Sequence, residues 1–125
     1  MTAALPAHAA ALLAEAFASE VTERLPELRT SIAAALESDD RDAVRLAMRH
    51  VHTLASGAAI VGEGEVSVLS RRCEERLVRA LASAGHDLPE LTAAAADVNR
   101  LAELLAPWID RGAAGAVDRQ GRGLT

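Results

Sequence analysis

Residues 13–36 read LAEAFASEVTERLPELRTSIAAAL. In this stretch Leu13, Phe17, Val21, Leu25, Leu28, Ile32 and Leu36 recur at steps of three and four, which gathers them into one stripe along a helix. A half-buried strand would alternate every second residue, and no segment of the chain does so. Pro6 suits the first turn of this helix, because its missing N–H is not needed there. Pro26 falls inside the stripe and removes a backbone donor, so the pattern predicts either a kink or two abutting helices between about residues 7 and 37.

Three further helices follow from the same reasoning. Ser38-Asp39-Asp40 supplies turn and N-cap oxygens, and a second helix is expected from about Arg41 to about Val61, stopped by Gly62 and Gly64. A third carries Val66, Leu69, Cys73, Leu77 and Ala80 on one face, with Arg71, Arg72, Glu75, Arg76 and Arg79 mostly outward, and ends near Ser83-Ala84-Gly85. Asp87-Leu88-Pro89-Glu90 reads as an acidic capping box that opens a fourth helix through Leu91, Ala95, Val98, Leu101 or Ala102, and Leu105. Pro107 predicts an end by Trp108 or soon after. From Gly112 the chain is Gly-rich without apolar periodicity, which predicts a domain over 1–111 and a flexible tail or linker over 112–125. Four amphipathic helices with short connections make an all-α protein, an antiparallel four-helix bundle of up-down topology.

Composition narrows the function. At 125 residues the chain holds one core, and with 50% hydrophobic but only 2% aromatic residues that core is built from Ala, Leu and Val, with Phe17 and Trp108 as its large rings. A net charge of −5 argues against nucleic acid, whose phosphates call for a basic face. All 13 basic residues are Arg, a planar fork suited to phosphate oxygens and carboxylates. Cys73 is the single cysteine, so no intramolecular disulfide forms and the cytoplasm is the expected compartment. The N-terminus lacks the cationic start of a signal peptide. The apolar stretch behind it is broken by His8 and Glu15, so no membrane partner is expected. There is no Gly-x-x-x-x-Gly-Lys loop, no Cys/His cluster at metal spacing and no Glu-x-x-His pair for a di-metal centre. Neither cofactor nor metal is therefore expected.

One residue stands apart from this structural pattern. On the second helix Ala47, Val51, Leu54, Ala58 and Val61 fall within one narrow face, and His52 lies roughly 140° from its centre. Arg45, Arg49, Ser56 and Ala59 surround it on the helical wheel, giving a surface strip with two guanidinium groups below the ring and small side chains above. His50 falls near the edge of the buried face and reads as structural, its ring satisfied by local hydrogen bonds. A His50/His52 metal pair is unfavourable, because residues two apart on a helix point in nearly opposite directions.

The run His52-Thr53-Leu54, followed by small residues and Gly62, resembles the phosphoacceptor helix of histidine-phosphotransfer (HPt) domains. Phe17, Glu20, Leu25, Leu28 and Leu36 resemble the first helix of that family. Leu69 and Glu74 match its following helix without insertion, so the likeness covers about residues 13–106. It implies that His52 accepts phosphate. It also implies that Glu74 hydrogen-bonds the ring at Nδ1–H, leaving Nε2 unprotonated and facing solvent; otherwise Glu74 would pair with Arg71 one turn earlier. The chain departs from the family at two positions: Ala55 stands where Lys is usual and Ser56 where Gly follows it. The phosphate's charge would then fall to Arg49 or Arg45, or to Arg71 or Arg72 across the groove. Ser56, Ala55, Ala59 and Gly62 would form the partner-facing strip.

The function implied is a phosphotransfer module of a two-component phosphorelay. It would be a carrier rather than an enzyme, exchanging phosphate with a response-regulator receiver domain or a histidine kinase. A non-phosphorylated HPt-like adaptor binding the same partners is the competing expectation, and a purely structural oligomerisation module a third.

Overall fold

The computed structural model describes the backbone of residues 6–124 and the side chains of residues 6–112. Four helices follow in order, α1 (Ala7–Glu37), α2 (Arg41–Val61), α3 (Gly64–Ala82) and α4 (Leu88–Leu124). Two of the connections are only a few residues long, so consecutive helices run antiparallel. Each packs on its two neighbours, α4 closing the ring against α1, and among the described residues the backbones of the diagonal pairs stay apart. Among the described residues there is no strand, and no helix is long and apolar enough to cross a membrane.

The boundaries of α2 follow from local chemistry. Asp40 Oδ1 accepts from the Ala43 N–H at 3.0 Å, satisfying one of the orphan donors of the first turn. At the other end Gly62 adopts φ 82°, and the N–H groups of Glu63 and Gly62 donate to Ala58 O and Ala59 O at 2.8 and 3.3 Å, closing the helix in a Schellman motif. At the start of α4 half of the expected box forms: Asp87 Oδ1 accepts from the Glu90 N–H at 3.2 Å, while the Glu90 carboxylate pairs with Arg76 and Arg79 of α3.

Of the two forms expected at Pro26, a kink or a split, the split does not occur, for α1 is continuous from Ala7 to Glu37. Pro26 and Thr22, the residue four earlier whose carbonyl loses its partner, are both exposed, so water can take the freed acceptor. Nor does α4 end near Trp108. It continues to Leu124, and tertiary packing carries it past Pro107: Trp108 meets Phe17 edge to face at 4.8 Å between centroids, and Ile109 packs on the core. The side chains of residues 113–125 lie outside the described residues, and so does the packing by which a separate tail over 112–125 would be recognised.

The core is one cluster drawn from all four helices, with Val21, Leu28, Val51, Leu54, Cys73, Leu77, Leu101 and Leu105 fully buried. The Cys73 thiol is pushed up to about 12 by burial and is a small hydrophobe here. Two glycines permit close approach. A Cβ at Gly57 would stand 2.8 Å from the Phe17 ring, and one at Gly112 would meet Thr22 Oγ1 and stand 2.9 Å from the Ala18 carbonyl oxygen. Gly112 is therefore a contact between α4 and α1. Gly112→Val should cost about 1–3 kcal/mol through overpacking against backbone, read as a lower urea midpoint; an unchanged midpoint would remove this contact from the account.

Candidate functional site

The outer surface of α2 carries an open hollow of about 780 Å³ lined by Arg24, Asp42, Arg45, Met48, Arg49, His52, Thr53 and Glu74. Three helices contribute to it. α2 supplies most of the lining, because the residues opposite its buried stripe must face outward. Arg24 enters from α1 and Glu74 from α3, since these are the two helices that flank α2.

His52 is an exposed ring on its lining, with 67% of its side chain accessible, and its Nδ1 lies 3.0 Å from Glu74 Oε2, itself 27% accessible. A carboxylate can only accept, so Nδ1 carries the proton in this pair and donates it. In the neutral ring the lone pair then resides on Nε2. Arg71 does not compete for Glu74; its Nε donates to Ser67 Oγ at 3.5 Å on its own helix.

The basic residues around the ring differ in how they are held. Arg45 pairs with Asp42 on the same helix at 3.0 Å. Arg49 is exposed and has no carboxylate partner among the described residues. Arg24, missed in the sequence because its partners come from different helices, gives its Nε to Glu20 Oε2 at 2.6 Å and its Nη1 to His50 Nδ1 at 3.2 Å. Arg72 turns away to α4, where it and Arg76 hold the buried carboxylate of Asp97 at 3.1 and 2.9 Å.

The expected partner-facing strip is only partly present. Ser56 is exposed, but its hydroxyl folds back to donate to the His52 carbonyl at 3.1 Å. Ala59 is exposed, and so is Gly62 at the end of the helix. Ala55 is not on this strip: it is 3% exposed, lying in the seam between α2 and α3, where Ser67 Oγ donates to its carbonyl at 3.3 Å. A side chain there meets α3 before it meets a partner.

His50 is buried at 5% exposure, and its partners lie on α1 rather than locally. Arginine can only donate, so Nδ1 accepts and the proton of the neutral ring sits on Nε2. Nε2 is 3.2 Å from Glu27 Oε2 but not aligned for a hydrogen bond. Burial, with Arg24 and Arg49 nearby, holds this imidazole below its ordinary value despite Glu27. Its contribution to stability is complete above about pH 6.5, the ordinary value, and is lost as the pH falls. No group of three or more metal-ligating side chains occurs among the described residues.

Comparison with known families gives one match: the Hpt domain family model aligns with residues 12–106, about three quarters of the chain. No curated protein and no solved structure matches it significantly. The aligned span begins in α1, ends in α4 and takes in both His52 and Glu74, so the whole ring of helices is included. With four helices in an all-α bundle and a match of this extent, the chain belongs to the Hpt domain family, the phosphotransfer modules of two-component signalling.

Proposed function

We propose that His52 is the phosphoacceptor of this domain and that Nε2 is the atom that takes the phosphoryl group. The observation that carries the reading is the 3.0 Å contact between Nδ1 and Glu74 on a ring that is 67% accessible, since it presents a fixed, unprotonated nitrogen to solvent. The Nε2 lone pair forms a P–N bond to the phosphorus of a receiver's aspartyl phosphate while the P–O bond to the aspartate breaks, and the carboxylate leaves with the electron pair. Running the step in reverse passes the group to the next receiver. The domain is a carrier, and the electrophilic stabilisation comes from the partner, a receiver domain or a histidine kinase. Arg49, without a carboxylate of its own, is the mobile counter-charge for the transferred group, and Arg45 assists when it releases Asp42. Ser56, Ala59 and Gly62 are the accessible remainder of the docking strip.

Incubation with a receiver carrying labelled phosphate should label the wild-type domain and leave His52→Ala unlabelled. Equal labelling of the two would remove His52 from the reaction. An adaptor that binds the same partners without being phosphorylated is favoured by the absence of lysine at position 55 and by the hydroxymethyl group of Ser56. It predicts receiver binding that survives His52→Ala together with no acid-labile phosphate on the wild type.

A further inference from the structure

Three guanidinium groups line the hollow beside His52, and Arg24 is the one fixed from two helices. Glu20 on α1 holds its Nε and His50 on α2 holds its Nη1, which sets the plane of a rigid fork. Nη2 has no hydrogen-bond partner among the described residues. Arg45 and Arg49 are exposed side chains of α2, and holding either against a ligand costs the rotamer freedom that Arg24 has already lost.

The cost of this arrangement falls on His50. Its imidazole is buried, must stay neutral to accept from Arg24, and leaves Nε2 without an aligned acceptor. An apolar residue would fill the same space without that penalty, so packing alone does not account for a histidine here.

A phosphoryl group on His52 would bring up to two negative charges next to the Glu74 carboxylate, with Asp42 on the same hollow. Such a charge needs a cation that is in place before it arrives. We infer that Arg24, positioned by His50, is the preorganised cation of this hollow and that its ligand is the phosphoryl group carried by His52. Arg24 acts on the transferred group; His50 acts through Arg24 and is a positioning residue. The inference rests on the assignment of His52 as the phosphoacceptor.

The test uses the whole protein and a small donor, so that no partner is required. Phosphoramidate transfers its phosphoryl group to Nε2 as its own P–N bond breaks and ammonia leaves with the electron pair. The second ionisation of the phosphoryl group is then followed by its phosphorus resonance across pH. A nearby cation favours the dianion, so Arg24→Gln should raise the phosphoryl pKa by about half a pH unit over wild type. His50→Leu should raise it equally, and the double variant no further than Arg24→Gln alone. His50→Gln, which keeps an acceptor for Nη1, should restore the wild-type titration. Arg24 is surface-accessible, so its variant decides the matter even if His50→Leu does not fold. A titration unchanged by Arg24→Gln overturns the inference while leaving the phosphoacceptor in place. A shift with Arg24→Gln but none with folded His50→Leu overturns the positioning role. A wild type that takes no phosphate on His52 overturns the phosphoacceptor assignment, and this inference with it.

Discussion

Glu74→Ala should slow phosphoryl transfer to His52 about tenfold while leaving the bundle folded. The carboxylate fixes the ring through Nδ1, 3.0 Å away. Without it a neutral imidazole in water places its proton mainly on Nε2, the atom that must attack, and the ring also gains rotational freedom. Glu74→Gln should lose less, because its amide oxygen can still accept from Nδ1–H, although the negative charge is gone. The hydrogen bond is partly exposed, so stability should move by no more than about 0.5–1 kcal/mol and the rate effect is not one of unfolding. Initial rates of label transfer from a receiver, measured beside an unfolding curve for each variant, check this. Equal rates for wild type and Glu74→Ala would show that the contact does not govern the reactive tautomer.

Leu54→Ala should cost about 2–5 kcal/mol and lower Tm by roughly 10 °C or more, the largest stability effect expected here. Leu54 is fully buried two residues beyond His52, on the opposite side of α2, within the cluster that all four helices share. Truncating it leaves a cavity that neighbouring helices can close only in part. Val68→Ala offers the contrast, since Val68 is 68% exposed and its loss should stay within about 0.5 kcal/mol. Urea unfolding of the two variants gives both numbers. Similar small losses at the two positions would mean that α2 does not bury the face assigned to it.

Most of the architecture was legible because it is written in local patterns. The stripe from Leu13 to Leu36 defined one face of α1, and Asp40 and Gly62 marked the ends of α2 through capping chemistry that needs only neighbouring residues. The exposure of His52 followed from its angle to the same helix's apolar face. Where the reading failed, the deciding contacts came from other helices. Ala55 lies only roughly 60° from His52 on the wheel, yet α3 packs against that side, and Ser67 binds its carbonyl. Pro107 and Gly112 carry the usual marks of a helix end. Trp108 against Phe17 and the bare Cα of Gly112 against Ala18 hold α4 to α1 beyond that point. Arg24 gave no signal as part of the hollow, because His50, to which it donates a hydrogen bond, stands 26 residues away.

The missing lysine at position 55 also looks different once packing is known. The Cβ of residue 55 points into the α2–α3 seam, so a long cation there would have to emerge past Ser67 before reaching a phosphate. In this chain Arg24 from α1 and Arg49 from α2 itself line the hollow beside His52, which is where the proposed function and the further inference place the counter-charge.

The account rests on Nε2 of His52 being the nucleophile, and mapping the phosphoryl group on the intact wild-type protein tests it most directly. After transfer from a phosphorylated receiver, phosphorus–nitrogen coupling in ring-labelled protein should place the group on Nε2 of His52, with His8, His50 and His86 unmodified. Phosphate found on Nδ1 of His52, on another histidine, or on no histidine at all would contradict it.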